Sequence, residues 1–150
     1  MQACTPPEQL TGYGALLRWY DPAAREWDII GGTADLTIPK IMREKIETNA
    51  DNGDGTKHYL ILPQSDTEDV DITVDFLPSQ YKKMSRVIQQ NPPLRTEFQI
   101  ILNTPDQFTV QWCGGLMELG GEVPKQDLVT SDIKIGYLGG QVLADNLANL

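Results

Sequence analysis

Residues 70–76 read Val-Asp-Ile-Thr-Val-Asp-Phe, a strict alternation of apolar and polar side chains. Successive side chains of a β-strand point to opposite faces, so this stretch predicts a strand with one buried face and one solvated face. The apolar positions are Val70, Ile72, Val74 and Phe76. The polar set begins one residue earlier and consists of Asp69, Asp71, Thr73 and Asp75. Burial on one face only is typical of antiparallel sheets.

The same period recurs along the chain, where Gly, Pro, Asn and Asp separate the alternating segments. Strands are predicted at residues 15–20, 27–30, 35–38 continuing towards 47, 70–77, 96–103, 108–113 continuing through 119, and 128–138. The strands at 96–103 and 108–113 are close enough to form a hairpin through residues 103–107. The predicted fold is therefore mainly β, an antiparallel β-sandwich or barrel.

One segment has the helical period instead. Tyr81, Met84 and Ile88 follow Pro78 at helical spacing, and Pro92-Pro93 stops the pattern. A single flanking α-helix over residues 79–90, packed on a sheet, is the prediction. The alternative is that the Tyr and Met stripe forms a groove for a cofactor or partner.

Residues 48–69 are predicted to form a long loop, because Asn, Asp and Gly dominate its start and polar residues its end. The loop contains an apolar patch of Tyr59, Leu60, Ile61 and Leu62. Two interpretations remain open. The patch docks on another subunit, or it packs on its own domain as a short edge strand.

Length and charge limit the possible functions. The chain has 150 residues and a formal charge of −9, and its length predicts a single domain over 1–150 with a flexible N-terminal arm at 1–11 and a C-terminal tail at 141–150. No apolar run is long enough for a membrane span or a secretory signal, so a soluble, unexported protein is expected. The acidic balance argues against nucleic-acid binding, which needs clustered Lys and Arg.

Catalytic and metal-binding motifs are weak in this sequence. His58 is the only histidine, and neither Cys4 nor Cys113 has a base nearby in sequence. Residues 51–55 depart from the order of a calcium-binding EF-hand loop and are predicted to form a turn. No catalytic residue, cofactor or metal site is predicted, and the protein is expected not to be an enzyme.

The acids are unevenly distributed. Between His58 and Lys82 there are five carboxylates and no Lys or Arg. A solvated sheet face is the simpler interpretation of Asp69, Asp71 and Asp75. The sharper hypothesis is that they line a space from which phosphate is repelled.

The order of these segments resembles the tail tube (major tail) proteins of long-tailed, lambda-type bacteriophages. The resemblance is carried by residues 12–17, 27–36 leading to Pro39, 43–48, 69–77, the helix, the 98–112 hairpin, Gly114-Gly115 and 123–140. It spans about residues 12–140 and includes no catalytic motif.

The resemblance implies a virion tail protein that assembles in the host cytoplasm into hexameric rings, which stack into a hollow tube. In such tubes the long loop contacts neighbouring subunits, and the tape-measure protein and then DNA occupy the lumen without specific binding. A tail terminator would be a further partner. By transfer, Asp69, Asp71 and Asp75 are expected to line the lumen, and Tyr59, Leu60, Ile61 and Leu62 to make inter-subunit contacts. No membrane partner is expected.

Three alternatives stay open from the sequence. The first is a single-ring tail terminator or a secretion-tube subunit. The second is a free-standing ligand-binding β module that uses Trp19, Trp27 or Trp112 as a stacking platform, although core packing is the simpler role for these residues. A hydrolase is the third, disfavoured because no nucleophile and base pair is visible.

Overall fold

The structure, a computed structural model, describes residues 14–32, 35–48 and 55–147. Within these ranges the chain forms strands and one helix in the following order: β1 Leu16–Asp21, β2 Glu26–Gly32, β3 Ile41–Thr48, β4 His58–Thr67, β5 Val70–Asp75, α1 Pro78–Gln89, β6 Thr96–Ile101, β7 Phe108–Glu122 and β8 Thr130–Asn146. The mainly β fold with one helix is confirmed.

Six strands form the main sheet, in the order β2-β1-β6-β7-β8-β5, and each neighbouring pair is antiparallel. The sheet curls into a half-barrel, which brings its two edge strands together. A Cβ atom added at Gly31 in β2 would lie 2.9 Å from Cβ of Val74 in β5. The main sheet therefore has a concave face, which holds the core, and a convex face. The convex face is exposed at Asp71 of β5 but buried at Gln99 and Ile101 of β6.

The core lies on the concave face and contains a row of aromatic rings. Trp19, Phe98 and Trp112 occupy neighbouring strands, with ring centroids 6.3 Å and 6.1 Å apart. Helix α1 covers this face and buries Met84, which is 1% exposed. The predicted helix is confirmed, and Pro78 stands in its first turn, where a missing backbone N–H costs nothing.

The predicted hairpin between β6 and β7 is also confirmed. Phe98 pairs with Trp112 and Ile100 with Val110, so both pairs place apolar side chains on the concave face. In β5 the predicted alternation holds, because Val70, Ile72 and Val74 are buried while Asp71 is exposed.

The prediction of a loop over residues 48–69 was wrong for much of that segment. Residues 58–67 form β4, which pairs antiparallel with β3 in a separate two-stranded sheet. The predicted strand at 35–38 is absent: these residues run beside β5, where the Asp35 carbonyl accepts a hydrogen bond from the Thr73 N–H at 3.1 Å. The continuation of that predicted strand towards residue 47 is present, as β3, which begins at Ile41 after the chain has run beside β5. Residues 49–54 lie outside the described ranges.

The C-terminal tail predicted at 141–150 was wrong as far as Asn146. Strand β8 continues through Gly139 and Gly140, which have φ of 121° and 80°. Such angles suit glycine, and the bulge around Cys113 lets residues 143–146 pair with 108–111. Residues 148–150 and the predicted N-terminal arm at 1–11 lie outside the described residues.

Candidate functional surfaces

The convex face of β5, β8 and β7 carries a cluster of acids. Asp71 pairs with Lys134 of β8, which pairs with Glu118 of β7. Thr73 pairs with Asp132, and Asp75 pairs with Thr130, opposite Glu122. We call this surface the acidic face; its charged residues are Asp71, Asp75, Glu118, Glu122, Asp132 and Lys134. Five carboxylates against one ammonium group make it repellent to phosphate.

Only the β5 part of the acidic face, Asp71 and Asp75, was predicted from the sequence. Glu118, Glu122 and Asp132 were missed, because the cross-strand register that joins them to β5 cannot be read from one strand. The sequence did offer one signal: Asp132 and Lys134 alternate with Ile133 and Ile135, which are buried, so the two charged residues share the exposed face of β8.

Asp69 differs from Asp71 and Asp75. It lies just before β5, and its Oδ1 accepts a hydrogen bond from the Tyr137 N–H at 2.9 Å. This bond ties the start of β5 to β8. Asp69 is exposed, but one of its oxygens has a structural role.

The second candidate surface is the projecting hairpin of β3 and β4, which we call the arm. Its side chains are apolar yet open to solvent: Leu60 is 59% exposed and Ile61 is 70% exposed. Tyr59 is half exposed and Leu62 is half-buried. A two-stranded ribbon of this kind is marginally stable alone in water, so these side chains need a partner.

The two faces of the arm differ in charge. On the first face Lys45 pairs with Ile61, and its ammonium lies 4.5 Å from the centroid of the Tyr59 ring. This face also carries Arg43, paired with Ser65.

On the second face Met42 pairs with Asp66 and Ile46 with Leu60. A hollow of about 320 Å³ opens there, lined by Met42, Glu44, Leu62, Gln64, Ser65 and Asp66. The first face also carries Glu47, paired with Tyr59, so its net charge is positive, whereas the second face is acidic and apolar.

Of the histidine and cysteine side chains that could take part in catalysis or metal binding, those in the described part of the chain lie in strands. His58 lies in β4 with its Nε2 3.3 Å from Oγ1 of Thr56. Cys113 is a half-buried free thiol in β7, and Cys4 and residues 51–54 lie outside the described part of the chain. Among the described residues, no group of three His, Cys, Asp or Glu is placed to hold a metal ion.

The tryptophans pack within the protein. Trp19 and Trp112 are 1% exposed, so neither offers a ring for ligand stacking. Trp27 packs edge-on against Tyr20 and under the Arg18 guanidinium. No helix in the described residues is long and apolar enough to cross a membrane.

No model of a protein family matches the sequence, and no curated protein matches it. Solved structures do match. A chain of the tail of an empty gene transfer agent (GTA) particle, determined with helical refinement and C6 symmetry, aligns with a TM-score of 0.65 and 15% identity over 92% of this chain and 98% of that one. A chain of the six-fold symmetrised baseplate of the anti-feeding prophage aligns with a TM-score of 0.67 and 10% identity over 94% and 97%.

A chain of the native GTA virion also aligns, with a TM-score of 0.63 and 14% identity over 91% of this chain and 99% of that one. The chain therefore shares its fold with chains of these tail, virion and baseplate assemblies. The likeness extends over at least 91% of this chain and at least 97% of each matched chain.

Proposed function

We propose that this protein is a structural, non-enzymatic subunit of a phage-type tail tube. Its copies form hexameric rings, and the rings stack into a hollow conduit for genome delivery. Support comes from the fold shared with tail and baseplate chains of particles that have six-fold symmetry. The tape-measure protein and a tail terminator are the further partners in this proposal. The protein resides in the virion tail after assembly in the host cytoplasm.

The observation that carries the proposal is the arm. Tyr59, Leu60 and Ile61 are at least half exposed in a chain that is otherwise strongly acidic. A monomer gains nothing from presenting these side chains to water, whereas a neighbouring subunit that covers them gains about 25 cal/mol for each Å² of apolar surface buried. Inter-subunit contact through Tyr59, Leu60, Ile61 and Leu62 is therefore part of the proposal.

The acidic face, with Asp71 and Asp75, is proposed to line the lumen together with Asp69, which lies just before β5. Six copies at −9 each give a ring a formal charge of −54. Carboxylates repel the DNA phosphates within a Debye length of about 8 Å, so DNA passes without binding.

The test is electron microscopy of the purified protein, wild type beside a variant carrying Leu60→Ser and Ile61→Ser. Wild type should form hollow tubes, and the variant should remain a folded monomer because both side chains are exposed. Val123→Ser is the matched control, since Val123 is 82% exposed on a different hairpin and the same kind of area is removed. Dispersed wild-type particles, or normal tubes from the arm variant, would contradict the proposal.

The lumen assignment has its own test. A cryo-EM map of the tube should place Asp69, Asp71 and Asp75 on the inner wall. Their appearance on the outer wall would refute this part of the proposal and leave self-assembly intact.

A second candidate is a component that stops at one ring, favoured by the likeness to the baseplate chain. Polymer length separates the two functions. A tube subunit keeps stacking as protein concentration rises, whereas a single-ring component yields particles of one size.

A further inference from the structure

Helix α1 carries a basic surface in a strongly acidic protein. Its twelve residues include Lys82, Lys83 and Arg86 and no acid. Lys83 is engaged within the chain, where its ammonium binds Asp28 and lies 3.3 Å from Oδ2 of Asp21. Lys82 and Arg86 are both exposed.

Lys82 and Arg86 form one patch. They are four residues apart on α1, so they lie side by side, about 5–6 Å between Cβ atoms. Met84, two residues from each, is buried in the core, which places both basic side chains on the solvent side of the helix. Neither forms a salt bridge with an acid of its own chain among the described residues.

The second face of the arm is the matching surface. Its hollow combines two exposed carboxylates, Glu44 and Asp66, with the half-buried apolar side chains of Met42 and Leu62. Long cationic side chains suit such a surface, because their aliphatic stems pack on apolar groups while the charged ends reach carboxylates. The first face matches the helix less well, because Arg43 and Lys45 outnumber Glu47 there.

We infer that the second face of the arm docks on helix α1 of a second copy of this chain, with Lys82 and Arg86 against Glu44 and Asp66. The inference rests on the proposed self-assembly and names one of its contacts. The two surfaces differ, so the contact is head-to-tail. Such contacts continue from copy to copy and either close into a ring or extend as a filament.

Charge reversal tests the contact. The arm variant carries Glu44→Lys and Asp66→Lys, and the helix variant carries Lys82→Glu and Arg86→Glu. Each variant alone opposes like charges at the contact, so the polymerised fraction measured by sedimentation should fall by about ten-fold or more.

An equimolar mixture of the two variants should assemble again. The reversed arm then meets the reversed helix, and the unchanged arm of the helix variant meets the unchanged helix of its partner. Arg43→Glu with Lys45→Glu is the matched control, because it reverses two charges on the opposite face of the same ribbon. In a mixture of this control with the helix variant, no arm matches the reversed helix, so the helix variant can add only at the ends of control polymers and most of it should stay in the supernatant.

Carbodiimide cross-linking of the assembled wild-type protein gives a measurement that needs no substitution. It should join Lys82 to Glu44 or Asp66 of another copy, identified by mass spectrometry of mixed isotope-labelled subunits. If wild type polymerises and both variants do too, or if mixing does not restore assembly, the docking inference is overturned while the proposed function stands. A wild type that never assembles would instead overturn the proposed function.

Discussion

At the scale of single residues, Gly114 shows how closely the main sheet is packed. A Cβ atom there would lie 2.8 Å from the Gly136 carbonyl oxygen and 2.9 Å from Cγ2 of Ile135. The first of these is backbone of the paired strand and cannot move aside without disturbing β8. Glycine at 114 is therefore required by packing.

Replacing Gly114 with Ala should lower the free energy of unfolding by about 1–3 kcal/mol, the usual cost of overpacking a core. Gly120→Ala is the control in the same strand, because nothing lies within 4 Å of its added Cβ. Urea denaturation of the monomers measures both. Equal free energies of unfolding for the two variants would contradict this prediction and would show that β8 shifts to accommodate the added methyl group at residue 114.

Lys83 joins α1 to the β1–β2 hairpin, and its contacts give a pH dependence. Partial burial acts to raise the pKa of Asp21, but hydrogen bonds from the Ala23 N–H, from Lys83 and from the Ala24 N–H outweigh it and lower the pKa overall. The pKa of Lys83 is raised, chiefly by its hydrogen bond to Asp28.

A lowered carboxyl pKa stabilises the fold above the unfolded pKa, and the gain is lost as the pH falls through the folded value, below about pH 4. A raised ammonium pKa stabilises below the unfolded value, and that gain is lost as the pH rises above about 10. The Lys83→Met variant should therefore show a smaller fall in melting temperature than wild type at both extremes. Parallel curves for the two proteins across pH 2–11 would contradict this prediction.

At the scale of elements, Gly140 lets β8 extend past its bulge. Its φ of 80° is costly for other residues, and nothing lies within 4 Å of an added Cβ, so the cost of substitution is conformational alone. Gly140→Ala should raise the energy of the extended strand by about 1–2 kcal/mol. Hydrogen exchange should then accelerate in residues 141–146 and stay unchanged in β5. Uniform exchange across β8 in the variant would argue against a local effect.

Elements that bury one face and expose the other could be predicted from the sequence, because their apolar residues repeat at the strand or helix period. The β6–β7 hairpin and α1 follow from period and punctuation, because each has one face on the core. The arm could not be predicted in this way. Its strands have apolar side chains on both faces, as Leu60 and Ile61 show, so the alternation that marks a half-buried strand is missing.

The continuation of β8 beyond Gly140 was missed for a different reason. A glycine pair with positive φ ends many strands, and only the partner residues 108–111 show that pairing resumes here. The acidic face was likewise found only in part, since cross-strand register is a property of the folded sheet.

At the scale of the whole molecule, charge is separated by surface. The acidic face of β5, β7 and β8 is negative, α1 is basic, and the two faces of the arm have net charges of opposite sign. The net charge of −9 thus conceals complementary surfaces that a composition cannot reveal.

The proposed lumen makes a prediction about DNA. Tubes of an Asp71→Lys, Asp132→Lys variant should retain short duplex DNA at low salt and release it as salt rises, because new ammonium groups replace phosphate counterions. Wild-type tubes should retain none in the same filter assay. Glu26→Lys with Asp106→Lys, an equal change of charge outside the acidic face, is the control. Equal DNA retention by both variants would show that retention depends on the net charge of the tube and not on the position of the new lysines.

The order of strands in the main sheet also bears on how the protein is made. Strand β5 leaves the ribosome before α1, β6 and β7, yet its neighbour in the sheet is β8, the last strand in the chain. The acidic face needs β5, β7 and β8 together, so a nascent chain cannot present it until residues 130–135 have been translated. Translation therefore delays this surface until the strands that close the half-barrel are all present.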